Sequence, residues 1–224
     1  MWRDALLVAG KDLRVEARSR VATNQVLPFA VLVLVLFAFA LEPDRGVLRT
    51  AAAGLFWVAV LLATVLAVSR SAALESGDGG RDALRLSGLD PAGVFLGKAG
   101  AVAVQLVALE LVLGVGVVVL YDLEPAGLGT LAVTALVATL GLAAAGTLYG
   151  ALASGLRVRE TLLPLLLLPV VAPVLLAATR ASEAALGTGV VGIDAGEWVG
   201  LLAAFAVVYL AAGVIAFGPL LEEG

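Results

Sequence analysis

The sequence predicts an all-α integral membrane protein with six transmembrane helices and an N-terminal amphipathic helix on the cytoplasmic surface. Three observations carry this. The 224 residues are 62% hydrophobic and 14% charged, more apolar surface than a soluble core of this size would hide, but well suited to lipid. Six apolar runs come close to the about 20 residues a helix needs to cross hydrocarbon. The basic residues are unevenly shared between the two ends of these runs. The short links between runs make residues 1–224 a single transmembrane domain.

Residues Trp2 to Arg20 place Trp2, Leu6, Ala9, Leu13 and Ala17 at spacings of 4, 3, 4 and 4, one helical face. Arg3, Lys11, Arg14, Arg18 and Arg20 occupy other positions. Residues 1–23 therefore read as an interfacial helix, apolar side to lipid and basic side to anionic headgroups. The plainer alternative is an ordinary charged segment before an anchor. Charge throughout this stretch, with no small-residue cleavage site after it, speaks against a cleaved signal peptide.

The spans are roughly Asn24–Leu41, Thr50–Ser69, Gly97–Tyr121, Leu128–Gly155, Thr161–Thr179 and Glu197–Gly218. Eleven basic residues lie at one end: the five of the first segment, then Arg70, Arg81, Arg85, Lys98, Arg157 and Arg159. Arg45, Arg49 and Arg180 are the three at the other. The positive-inside rule puts both termini in the cytoplasm.

Residues 70–98 form the least hydrophobic stretch, with four basic and four acidic residues. Ser76-Gly77-Asp78-Gly79-Gly80 reads as a turn that a helix cannot continue through cheaply. Asp90-Pro91 reads as an N-cap followed by proline at the first helical position, starting a helix that runs through Phe95 and Lys98 into the third span. Leu84, Leu86, Leu89 and Phe95 are candidates to lodge in a groove of a cytosolic partner. The bland reading leaves them resting on headgroups.

Inside the spans three features stand out. Glu110 is a carboxylate well within the third run, where a charge costs about 2.5–3.5 kcal/mol on insertion scales. It is either a pathway residue or a protonated acid bonded to a neighbouring helix. Gly146, Gly150 and Ser154 repeat every four residues and permit close helix approach, within the chain or between copies. Pro164, Pro169 and Pro173 each remove a backbone donor, so the fifth span is expected to be kinked or interrupted.

The residues exclude most chemistry. The chain has no cysteine and no histidine, and its one methionine is Met1. Triads, thiol nucleophiles, disulfides and the usual zinc sites are ruled out. Gly93-Val94-Phe95-Leu96-Gly97-Lys98-Ala99 superficially suggests a phosphate loop, but it lacks one residue between the glycines and has Ala99 in place of Ser or Thr. Any ATP hydrolysis belongs to another chain. No nucleic-acid module is present.

Arg157-Val158-Arg159-Glu160-Thr161-Leu162-Leu163-Pro164 through Pro169 and Pro173, preceded by Gly146-Thr147-Leu148-Tyr149-Gly150, resembles the fourth-to-fifth-span region of the cytochrome c maturation protein B family, the haem exporter permeases of the ABC-2 type. Phe56-Trp57-Val58-Ala59, Glu75 and Leu84-Arg85-Leu86-Ser87 are similar to that family as well. The Gly-Asp-Gly-Gly stretch departs from the family's more compact loop. The resemblance covers nearly the whole chain and implies an ABC-2-type permease architecture in the inner membrane of a prokaryote. It implies a cytosolic ATP-binding subunit that carries ATP and Mg, a haem-handling membrane protein, a periplasmic haem chaperone and a homodimer of this subunit. Residues 70–98 become the ATPase-coupling loop, with Glu75, Asp78, Arg81, Leu84, Arg85, Leu86, Ser87 and Phe95 as its contacts. Lacking His, Cys and internal Met, the chain is expected to leave haem to a partner, with Tyr121, Tyr149 and Tyr209 packing or anchoring. A generic ABC-2 exporter of lipid, drug or polysaccharide is the nearest alternative. A secondary transporter would show more intramembrane polar sites and an internal repeat, and a membrane enzyme would show clustered polar residues.

Overall fold

The computed structural model describes residues 1–20, 22–41, 45–76, 84, 86–124, 126–154, 159–188 and 194–223, and the side chains of residues 22, 23, 45, 74–76, 154, 159–161, 222 and 223 fall outside the description. Asp78, Arg81, Arg85 and Arg157 lie outside the described residues, and Glu75, Ser154, Arg159 and Glu160 are described as helix backbone only.

The described residues form helices and no strands. In order they are α1 (Trp2–Ser19), a π-helical turn (Ala22–Val26), α2 (Leu27–Leu41), α3 (Arg45–Ser76), α4 (Pro91–Tyr121), α5 (Leu128–Ser154), α6 (Arg159–Leu186) and α7 (Ala195–Glu223). Six helical segments are long and apolar enough to cross a membrane, the first beginning in the π-helical turn at Asn24. All-α architecture and six spans follow the sequence reading.

Two features differ from expectation. α3 continues to Ser76, past the Ser69 at which the second span was read to end. The Asp90-Pro91 signal is correct: Asp90 sits in extended backbone as the N-cap and Pro91 opens the helix. α6 is the second difference. Its three prolines do not interrupt it. Its packed face is Leu163, Leu167, Val171 and Val174, all nearly inaccessible, and Pro169 and Pro173 lie on the exposed side. Pro164 is half-buried.

α5 is the central strut and packs against α3, α4, α6 and α7. Its run of buried Ala143, Ala144 and Ala145 keeps its cylinder thin enough for four neighbours. Gly146 and Gly150 face Val68 of α3, where an added Cβ would lie 2.6 Å and 3.0 Å from its methyls. The small-residue repeat is thus a seam within the chain. α2 sits at the edge against α3 and α4, with Ala30 and Leu34 as its buried side chains.

Candidate functional site

The end of the bundle that carries α1 also carries the connection before α4. α1 has three faces. Trp2 (71% exposed) and Leu6 stand on an outward apolar side, as the sequence periodicity predicts. Arg3, Arg14 and Arg18 stand on an exposed basic side. The third face, which periodicity alone did not reveal, packs on α4 through buried Ala5 and Val8. α4 meets it with Gly93 and Gly97. A Cβ on Gly97 would lie 2.5 Å from the Ala5 carbonyl oxygen, and one on Gly93 would lie 2.7 Å from that of Met1. The two glycines of the failed phosphate loop therefore have a packing use.

Carboxylates line this third face. Lys98, its side chain 4% exposed, donates to Asp12 at 3.3 Å. Arg70 of α3 donates through Nε to Glu16 at 3.3 Å. Asp4 accepts the backbone N–H of Asp90 at 3.3 Å, which holds its carboxyl below the ordinary range. These links join residues 54 to 86 positions apart. α1 is thereby fastened to the last turns of α3, the first turns of α4 and the end of the connection between them.

The connection ends in a tight turn. The Ser87 hydroxyl donates to the Leu84 carbonyl at 2.6 Å and accepts the Leu89 N–H at 3.4 Å. Gly88 takes φ of 66°, a left-handed conformation available to glycine at little cost. This turn thrusts Leu86 outward, 87% exposed. Leu84 and Leu89 are half-buried and pack with Val8, Phe95 and Phe217. Phe95 corrects the sequence reading: it is fully inaccessible, its ring seated in the gap left by Gly213, where an added Cβ would lie 1.9 Å away. It is a core residue against Phe217 at 5.6 Å, so it cannot be a direct partner contact. Leu86 remains as the exposed apolar side chain of the turn.

Glu110 is buried on α4 and accepts the Thr139 hydroxyl of α5 at 2.6 Å. It ties two spans together. The tyrosines are packing groups. Tyr121 donates to the Leu34 carbonyl at 3.0 Å. Tyr149 and Phe205 flank Tyr209, with centroids at 6.4 Å and 4.4 Å.

Compared with known proteins, residues 3–223 match the family described as CcmB protein. The chain belongs to the CcmB family. Relatives include heme exporter protein B of Rhodobacter capsulatus, 34% identical over 168 residues that make up 74% of this chain and 76% of the relative. The same-named protein of Paracoccus denitrificans is 31% identical over 214 residues, 92% of each chain. That of Bradyrhizobium diazoefficiens is 29% identical over 219 residues, 96% of this chain and 95% of the relative. The CcmB match thus spans α1, all six membrane helices and the turn that carries Leu86.

Proposed function

We propose that this CcmB-family chain is the permease subunit of an ATP-driven complex for cytochrome c maturation. It couples hydrolysis by a separate cytosolic subunit to haem export and delivery to a periplasmic haem chaperone. The observation that carries this is the family match over residues 3–223, joined by relatives that bear the name heme exporter protein B. The subunit sits in the inner membrane with both termini in the cytoplasm, because eleven of the fourteen basic residues fall at that end. That orientation makes the Leu84–Asp90 turn the surface offered to the ATP-binding subunit, with Leu86 as its apolar anchor. Two copies supply the paired permease halves.

Haem is held by a partner membrane protein. The chain lacks His, Cys and internal Met, and the Tyr121 hydroxyl already donates to a backbone carbonyl. The generic-exporter alternative is tested by the same experiment. The tagged protein is purified in mild detergent, partners are identified by mass spectrometry, and haem is read from the absorbance spectrum. An ATP-binding subunit together with a haem-handling protein is the expected result. An ATPase alone, with c-type cytochromes unaffected by deletion, selects the generic exporter. Leu86→Asp should abolish co-purification of the ATPase without lowering protein level; undiminished co-purification removes Leu86 from the interface.

A further inference from the structure

Where α1 meets α3 and α4, charged and polar side chains surround a chamber of about 70 Å3. One water needs about 10–15 Å3, so the chamber holds several. It has two extensions. The first, of about 20 Å3, shares Glu16, Arg70 and Gln105 with the chamber. Its remaining walls are apolar, Val26 and Leu109 among them, and make no demand for water. The second, of about 10 Å3, shares Ser71, Lys98 and Val102. It runs between α3, α4 and α5 to Thr147, beside Phe217 of α7. Gly150 and Val68 also wall it, so it flanks the seam where α5 meets α3.

Thr147 sets the second extension apart. The residue is 8% exposed, and its buried hydroxyl oxygen has no hydrogen-bond partner among the described residues. A threonine inside a helix can satisfy its hydroxyl on the carbonyl one turn back. Thr64 does so, donating to Val60 at 2.8 Å. Thr147 does not. Buried polar side chains nearly always have a partner, either protein or ordered water. Here the unpartnered hydroxyl borders a space of about one water, open to a polar chamber, with Ser71 and Lys98 as its other polar walls.

We infer that Thr147 anchors an internal water, held between its hydroxyl, the Ser71 hydroxyl and Lys98. Three partners match the about 3 hydrogen bonds that a buried water makes. One molecule then links α3, α4 and α5, and it continues the hydration of the chamber under α1 into the bundle. This site is separate from the Leu86 turn and does not depend on what the complex exports.

The test is X-ray radiolysis of the full-length protein in nanodiscs, with oxidised side chains mapped by mass spectrometry. Radiolysis splits water in place, and the hydroxyl radicals mark the side chains beside it. Phe217 lines the cavity at 1% exposure and should be oxidised. Trp57 is 2% exposed and bonded to Ser182 at the other end of the bundle; it lines none of these cavities and should stay unmodified. Thr147→Val keeps the shape without the hydroxyl and should lose the Phe217 mark, whereas Thr147→Ser should keep it. Val102→Leu fills the cavity from α4 with every hydroxyl intact, and should lose the mark as well. The melting temperature of Thr147→Val should fall by about 2–4 °C, the shift for one lost hydrogen bond in a chain of this size. A rise would show that the hydroxyl is an orphan in a dry cavity and would overturn the site. So would an unmodified Phe217 in the parent, a mark that survives Thr147→Val, or oxidation of Trp57 as fast as that of Phe217.

Discussion

At the end of the bundle that carries α1, ion pairs join helices that also pack directly on one another through Gly93 and Gly97. Lys98 reaches Asp12 and Arg70 reaches Glu16, and the cavities lie between them. At the opposite end the buried ties are neutral. Trp57 Nε1 donates to the Ser182 hydroxyl at 3.0 Å, and Tyr121 donates to the Leu34 carbonyl. The backbone N–H of Gly127 reaches the carbonyl of Ala185 at 3.1 Å, at a glycine where a Cβ would lie 2.8 Å from that same oxygen. An ion pair beside a cavity can exchange its partner for water, salt or a ligand. A buried neutral hydrogen bond has no such substitute and is costly to open. The first end relies on ion pairs as well as packing, and the second on buried neutral hydrogen bonds.

Three substitutions would break or sharpen this comparison. The largest effect is expected for Gly97→Leu. Its side chain would collide with the Ala5 backbone and Val8, and neither the backbone nor a buried valine can move aside cheaply. Overpacking of this kind costs about 3 kcal/mol, and here it should release α1 from α4. Thermal unfolding in detergent, together with protease access to residues 1–20, reads both effects. A variant as stable and as protected as the parent would show that α1 does not depend on this seam.

Trp57→Phe comes next. It leaves the Ser182 hydroxyl without its donor in a buried site, a loss of about 2 kcal/mol. That loss should be the same at low and high salt, because no ion is involved. Salt dependence would mean that the opposite end also relies on charge.

The smallest effect belongs to Arg49→Gln. Arg49 pairs with Asp122 at the opposite end, but with side chains 47% and 67% exposed the pair lies in water. Such pairs contribute about 0–1 kcal/mol. A loss as large as that of Trp57→Phe would make this surface contact part of the closed end and erase the distinction drawn here.

Local sequence carried the spans, the N-cap at Asp90 and the outward stripe of Trp2 and Leu6, because each is written in neighbouring residues. It did not carry the fate of Phe95. An aromatic near the start of α4 looks exposed until Gly213, over a hundred positions later, supplies the space for its ring. Nor did it reveal the acidic face of α1. Asp4, Asp12 and Glu16 read locally as ordinary polar positions, and their partners Asp90, Lys98 and Arg70 lie far along the chain. Pro164, Pro169 and Pro173 predicted a kink or an interruption of α6, and the helix runs through all three without a break.

By itself the sequence determined that the chain is an all-α membrane protein with six helices long and apolar enough to cross. These follow from composition and from apolar runs whose length is matched to the bilayer. The tertiary structure decided which glycines are seams, which charges are paired, which leucine of the turn is offered outward, and that two cavities meet at Arg70 and Gln105. Those depend on the approach of helices distant in sequence, set by side-chain volume and by the requirement that a buried charge find a partner.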